Sequence, residues 1–243
     1  MAASIPRPRF EAGHNDAPDT LEGQVEHMRR WGYVRLRKFV ATSTLTQLQL
    51  EFRKEQAAVL RGSPLGEGKM IDLPFGVGKV LEGPMAGPLL EVIESLAPLA
   101  SRVVGEDVQI INIQPRTVAS TQPALPGQAE PKGYTSWHRD EGNANGVFVH
   151  PLITTNVKLI VAVGDQSGGL EGSTVLPGTH RVHDGPASCV GQIESTHQRV
   201  FAGSAGDACL FDTKTWHTVQ PNLSGAPREC ENSHNAPMSH SII

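Results

Sequence analysis

The chain has 243 residues, with 21 Lys and Arg against 25 Asp and Glu, and a formal net charge of −4. Nucleic acids and anionic membranes usually demand a basic excess in a protein partner, so this balance argues against both. The 25 glycines and 18 prolines exceed average usage and predict short strands joined by many turns rather than a helical bundle.

The sequence pattern shows no signal for insertion into a membrane or for secretion. The best apolar run, 157–163, is strand-sized and includes Lys158, so we expect no transmembrane helix. Residues 1–10 lack the apolar core of a secretory signal. The three cysteines form no close pair, which favours reduced thiols. We therefore predict an intracellular, cytoplasmic protein.

The first part of the chain predicts helices that flank another structure. Residues 1–18, rich in Pro, Asn and Asp, are expected to form a disordered leader, and 19–243 a single domain. The predicted elements are a helix that Thr20 caps and Gly32 ends, a strand over 33–40, a helix from Thr42 to about Arg61, a loop over 62–88, and a helix from Leu89 to about Leu96.

From about residue 106 the sequence changes to short apolar runs. They span 108–113, 147–149, 157–163, 173–176 and 208–211, and turn-forming clusters separate them. Strands without long helices between them indicate an antiparallel sandwich or barrel. We expect a mainly β fold with flanking helices.

A His-x-Asp pair marks the candidate site. His138 and Asp140 stand two residues apart, so on an extended segment both side chains share one face and Arg139 takes the other. An imidazole and a carboxylate on one face supply two legs of a facial metal site. The same pattern at His14 and Asp16, in the proline-rich leader, is interpreted as a chance match.

The third ligand must come from elsewhere in the chain. His217 is the best candidate, because it follows an apolar strand and a turn; His150, His180 and His183 are its rivals. Two histidines and one carboxylate suit non-haem Fe(II) with three open positions. Zinc with the same ligands would leave one open position for water.

Arg228 is the candidate for binding an anion beside the metal. It follows His217 by 11 residues, across a turn rich in Pro and Gly. A hairpin of that length can return the guanidinium to the metal pocket, where its planar fork could clamp a carboxylate. The combination predicts a small dicarboxylate as ligand.

The ordered set of motifs resembles the phytanoyl-CoA dioxygenase family of Fe(II)/2-oxoglutarate oxygenases, over roughly residues 30–228. The Leu-Pro-Gly-Thr-His block between the ligand motifs makes the resemblance more specific than His-x-Asp alone. The matching segments are Gly32-Tyr33-Val34, Trp137-His138-Arg139-Asp140, Gly168 through Arg181, and Gly206-Asp207-Ala208 through His217 to Arg228.

The resemblance implies a double-stranded β-helix, that is, a cupin-like jelly roll. It implies Fe(II) bound by His138, Asp140 and His217 as the catalytic ligands, with Arg228 on the distal carboxylate of 2-oxoglutarate. The implied activity is that of a dioxygenase, an oxidoreductase that uses O₂ and 2-oxoglutarate to hydroxylate or otherwise oxidise a C–H bond of a small organic substrate, releasing succinate and CO₂. The prime substrate and the oligomeric state stay open.

Two other functions compete with this interpretation. A catalytically silent jelly-roll protein would bind a metal or ligand without turnover, and a cupin-like metal hydrolase or isomerase would work without 2-oxoglutarate. The polar segment 229–237 breaks at a proline and poorly specifies the closing strand of a jelly roll. We expect short pairing there, unless the tail derives from an alternative or truncated transcript.

Overall fold

A computed structural model describes the fold for residues 19–60, 70–72, 82–105, 108–118, 137–140, 153–166, 172–181, 198–201, 203–220, 222 and 228–237. The predicted leader over 1–18 and the predicted strand over 147–149 lie outside these residues, as do His150 and His183. Within the described part, none of the helices has both the length and the hydrophobicity needed to span a bilayer.

Two antiparallel sheets, with strands numbered in chain order, form the centre of the structure. The larger sheet contains, side by side, β1 (Tyr33–Leu36), β7 (Ala208–Asp212), β4 (Val157–Ala162), β9 (Arg228–Pro237), β3 (Val108–Val118) and β2 (Met70–Asp72). The smaller sheet contains β6 (Arg199–Phe201), β5 (Ser173–Val175) and β8 (His217–Val219).

Three helices pack against the larger sheet: α1 (Leu21–Trp31), α2 (Thr42–Leu60) and α3 (Ala86–Val104). The predicted boundaries of α1 are confirmed. The Oγ1 of Thr20 accepts a hydrogen bond from the N–H of Gly23, and Gly32 ends the helix in the left-handed conformation. The start of α2 at Thr42 also agrees with the prediction.

The alternation of side chains along β4 separates two apolar cores. Val157, Leu159 and Val161 pack with the helices, whereas Ile160 and Ala162 pack with residues of the smaller sheet. Side chains two residues apart share a face, so Lys158 lies on the face of Ile160 and Ala162, between the two sheets. A charged residue is thus built into an apolar interior.

Helix α3 is longer than the sequence pattern predicts. The prediction ends this helix near Leu96, before Pro98, but the helix continues to Val104. Pro98 is exposed, whereas Leu96, Leu99 and Ala100 are buried. Burial of this continuous apolar face outweighs the roughly 3 kcal/mol that an interior proline costs a helix.

Several strands form where the hydrophobic pattern is weak. Strand β2 lies within the stretch predicted as a loop, and β6 and β8 were not predicted. The expectation of short pairing over 229–237 is wrong, because β9 has 10 residues and pairs with both β3 and β4. Ladder hydrogen bonds join backbone groups, so a polar sequence can occupy the middle of a sheet.

Cys209 belongs to the apolar cluster between the sheets, together with Val175, Phe201 and Phe211. Burial raises the pKa of its thiol to about 12, although the nearby charge of Arg35 acts in the opposite direction. Among the described residues it is a free cysteine without a disulfide partner.

Gly32 occupies a turn that has no room for a side chain. Its φ is 77°, and a Cβ atom there would lie 2.5 Å from both Nδ1 of His180 and Oγ1 of Thr215. Its carbonyl accepts hydrogen bonds from Oγ1 of Thr215, at 3.0 Å, and from the N–H of Asp212, at 2.9 Å. The end of α1 is thereby tied to the turn between β7 and β8.

We expect Gly32→Ala to lower the free energy of unfolding by about 2–5 kcal/mol, from left-handed strain plus overpacking. Gly87→Ala is the matched control, because a Cβ atom at Gly87 meets nothing within 4 Å. Urea unfolding of both variants checks this prediction. Equal stability of the two variants would contradict it.

His180 links the turn after β5 to the end of α1. Its Nε2 donates a hydrogen bond to the carbonyl of Arg29 at 3.1 Å, and its Nδ1 has no partner among the described residues. A carbonyl only accepts, so the ring carries its proton on Nε2. Burial lowers the pKa of His180 from 6.5 to about 4, the Arg29 carbonyl opposes this, and the charges of Arg181, Lys214 and Arg139 add to it.

A buried neutral histidine makes stability depend on pH. Because the pKa of His180 is lower in the folded state, its contribution is complete above about pH 6.5 and is lost as the pH falls toward 4. The loss amounts to about 3 kcal/mol. We therefore expect the free energy of unfolding to vary less with pH in His180→Gln than in the wild type. Unfolding of both proteins over this pH range checks the prediction, and parallel profiles would refute this role of His180.

Candidate metal centre

A short antiparallel bridge joins the segment 137–140 to β8. The N–H of His138 donates to the carbonyl of His217, and the N–H of His217 donates to the carbonyl of His138, both at 3.0 Å. The N–H of Asp140 donates to the carbonyl of Thr213 at 3.1 Å. These bonds place the two imidazoles side by side, with ring centroids 4.3 Å apart.

The structure brings His138, Asp140 and His217 together. One ligand atom from each residue lies within 4.8 Å of those of the other two. Nε2 of His217 is 3.4 Å from Oδ2 of Asp140, and Nε2 of His138 is 3.7 Å from Oδ1. Within the part of the chain that the structure describes, no other three His, Cys, Asp or Glu side chains form such a group.

The hydrogen bonding of His217 fits a metal ligand. Its Nδ1 lies 2.9 Å from the carbonyl of Thr215, which fixes the proton on Nδ1 in the neutral ring and leaves the lone pair on Nε2. Nε2 is buried, and none of the described residues forms a hydrogen bond with it. A carbonyl behind a histidine ligand is the common arrangement by which proteins orient an imidazole toward a metal.

The site is closed on one side and open on the other. The side chain of His217 is 4% exposed, that of Asp140 20% and that of His138 38%. The ring of Phe211 covers His217, with centroids 4.8 Å apart. Access from solvent is therefore on the side of His138.

Asp140 carries a negative charge into this group. Burial alone would raise the pKa of Asp140, but the nearby imidazole of His217 and the ammonium of Lys158 outweigh that effect. Together they hold the pKa of this carboxyl well below its usual range. The side chain is a carboxylate at neutral pH, which is the form that binds metals.

Lys158 is a residue of the site that the sequence analysis missed. Its Nζ donates a hydrogen bond to Oδ2 of Asp140 at 2.9 Å. The available signal was a lysine within the otherwise apolar strand β4, which was used only to exclude a transmembrane segment.

The Leu-Pro-Gly-Thr-His block, residues 176–180, forms hydrogen bonds with residues adjacent to the candidate ligands. Oγ1 of Thr179 accepts a hydrogen bond from the N–H of Trp216, at 3.0 Å, and the carbonyl of Thr179 accepts one from Arg139, at 2.7 Å. Trp216 and Arg139 are direct chain neighbours of His217 and of the His138–Asp140 pair. His180, a rival ligand, points to Arg29 instead.

Arg228 is the first residue of β9, opposite Val118 of β3. Along β9 it stands before Cys230, the partner of Ala162, whereas Lys158 pairs with His234. By this register, Arg228 lies beyond the C-terminal end of β4, whereas Lys158 lies near the N-terminal end of that strand. The side chain of Arg228 lies outside the described part of the structure.

Antiparallel sheets that carry two histidines and one carboxylate define a class of non-haem metal enzymes. A sequence model described as phytanoyl-CoA dioxygenase (PhyH) matches residues 28–230. The chain therefore belongs to the phytanoyl-CoA dioxygenase family. It is an Fe(II)- and 2-oxoglutarate-dependent oxygenase, and Fe(II), 2-oxoglutarate and O₂ are the cofactor and cosubstrates of this class.

Solved structures share the fold at low identity. AviO1 from Streptomyces viridochromogenes Tue57 has 19% identity and a TM-score of 0.65, over 92% of this chain and 97% of that one. The non-haem alpha-ketoglutarate-dependent epimerase SnoN from nogalamycin biosynthesis has 17% identity and a TM-score of 0.61, over 89% and 80%. The carbocyclase SnoK from the same biosynthesis has 16% identity and a TM-score of 0.57, over 90% and 87%. No curated protein sequence matches the chain.

We expect Asp140→Asn to weaken Fe(II) binding by roughly 100-fold or more, because a neutral amide replaces the anionic ligand. Asp16→Asn is the matched control, since it makes the same change in the other His-x-Asp pair. Anaerobic equilibrium dialysis measures both affinities, and thermal unfolding verifies folding. Wild-type affinity in a folded Asp140→Asn variant would exclude Asp140 as a ligand.

Proposed function

We propose that the protein is a jelly-roll dioxygenase that couples decarboxylation of 2-oxoglutarate to oxidation of a C–H bond of a small organic substrate, with release of succinate and CO₂. His138, Asp140 and His217 are the metal ligands in this proposal. The observation that carries it is their convergence at the bridge, where the lone pair of His217 Nε2 is buried and accepts no hydrogen bond from the described residues. Family membership supports the same assignment.

The metal and the residues of the proposed site have separate roles in the reaction. Bound Fe(II) supplies the redox chemistry that joins O₂ and 2-oxoglutarate to substrate oxidation. Asp140 provides the single anionic ligand beside two neutral imidazoles. His217 and Phe211 close the inner side against water, while His138 borders the open side from which a substrate enters.

We assign Arg228 to the distal carboxylate of 2-oxoglutarate. The support is its spacing of 11 residues from His217 and its place within the segment that the family model matches. The 2-oxo acid end would bind at the metal ligands, and the guanidinium of Arg228 would hold the distal carboxylate. A guanidinium binds such a carboxylate bidentately.

We propose oxidation of a C–H bond without specifying which product forms. Two of the structural neighbours are an epimerase and a carbocyclase, so this fold accommodates outcomes other than hydroxylation. We therefore include both hydroxylation and other oxidations of a C–H bond.

Anaerobic titration of the Fe(II)-loaded protein with 2-oxoglutarate should produce the weak visible charge-transfer band of the chelate. In Arg228→Ala we expect affinity to fall by roughly 10–100-fold, since charged hydrogen bonds to a carboxylate are lost. Arg53→Ala, which removes an exposed arginine from α2, is the control. Succinate formation in air measures turnover.

The outcomes separate the proposals. An equal band in wild type and Arg228→Ala would remove Arg228 from the cosubstrate site and leave the dioxygenase proposal intact. A wild-type protein that binds Fe(II) without forming the band or succinate would contradict the dioxygenase proposal. It would favour a silent metal-binding jelly roll or a metal hydrolase.

A further inference from the structure

A buried lysine stands beside the candidate metal ligands. All six residues of β4 are buried, and Lys158, 8% exposed, is the charged one among them. Lysine is rarely buried unless it is paired, because removing an ammonium from water is costly. Among the described residues, the acceptor that its ammonium contacts is Oδ2 of Asp140.

The position of this ammonium is set by the middle of a sheet. Lys158 pairs with Phe211 of β7 on one side and with His234 of β9 on the other. A strand with neighbours on both edges holds its side chains more rigidly than a loop. Asp140, by contrast, belongs to the short segment 137–140, whose backbone is tied down at His217 and Thr213.

We propose that Lys158 is a positioning residue that keeps Asp140 a one-oxygen metal ligand. Its ammonium occupies Oδ2, which leaves Oδ1 for the metal and prevents the carboxylate from chelating through both oxygens. Carboxylates bind metals in either mode, so something in the site must select one. This inference rests on the proposed function, because it assumes the three ligands named above.

The consequence concerns the open coordination positions. A facial set of three ligands leaves three positions, two for a chelating 2-oxo acid and one for O₂. A carboxylate bound through both oxygens would take one of them. The ammonium also balances the charge of Asp140, so that the dianionic cosubstrate meets a site without a net negative charge from the protein.

The test uses Co(II) as the metal, because its visible d–d absorption reports coordination. The variants are Lys158→Met, which keeps most of the length of the side chain but removes the ammonium, and Lys158→Arg, which keeps the charge. Lys54→Met is the control, since Lys54 lies on the surface of α2 and is 58% exposed. The ligands are 2-oxoglutarate and 2-oxobutanoate, a 2-oxo acid without a distal carboxylate.

For Lys158→Met we expect an altered Co(II) spectrum before any ligand is added, with Co(II) affinity equal or tighter. Both 2-oxo acids should bind about 10–100-fold more weakly, which is the usual effect of losing a group that orients a metal ligand. Lys158→Arg should restore the spectrum and the affinities, and Lys54→Met should match the wild type.

Three results would overturn the inference. Weakening confined to 2-oxoglutarate would show direct contact between Lys158 and the distal carboxylate. An unchanged Co(II) spectrum and unchanged affinities would show no role. Loss of Co(II) binding with a lowered Tm, unrepaired by Lys158→Arg, would make Lys158 a structural residue.

Failure of the wild type to bind 2-oxoglutarate would instead contradict the proposed function, and the ligand-free Co(II) spectra would still report on Lys158.

Discussion

The pair of reciprocal backbone hydrogen bonds between His138 and His217 is the constraint on which the site depends. It joins two segments that are far apart in sequence and sets the two imidazoles against each other. The side chains are then oriented by fixed neighbours: the carbonyl of Thr215 behind His217 and the ammonium of Lys158 on Asp140. In the proposed site, metal affinity is therefore a property of the backbone framework as much as of the three candidate ligands.

The turn around Gly32 and the Leu-Pro-Gly-Thr-His block tie this framework to the rest of the fold. Gly32 accepts hydrogen bonds from the turn that precedes His217, and Thr179 binds the backbone of Trp216 and the guanidinium of Arg139. Neither Gly32 nor Thr179 belongs to the group of candidate ligands. Residues outside the group of candidate ligands thus matter because they hold the chain neighbours of those ligands in place.

The sequence predicted what local rules determine. Thr20 and Gly32 define the ends of α1 because capping is a local interaction, and the period of two correctly placed His138 and Asp140 on one side of the segment, near His217. The role of these three residues as metal ligands, the jelly roll and the role of Arg228 stay predictions.

The misses have a common physical cause, which is tertiary context. Helix α3 passes Pro98 because a buried face continues beyond it, and β9 forms from polar residues because both neighbours supply ladder partners. The partner of Lys158 depends on how β4 meets the segment 137–140, which no spacing in the sequence encodes. Composition and periodicity carry little information about such contacts between segments.

The burial of Cys209 has a consequence for a protein that handles O₂. It lies in the cluster that includes Phe211, whose ring packs on His217. Because burial raises its pKa to about 12, the thiol stays protonated at neutral pH. Peroxide and related oxidants attack the thiolate. The interior near the candidate metal centre thus holds its sulfur in the form that stray oxidants convert most slowly to sulfenic acid.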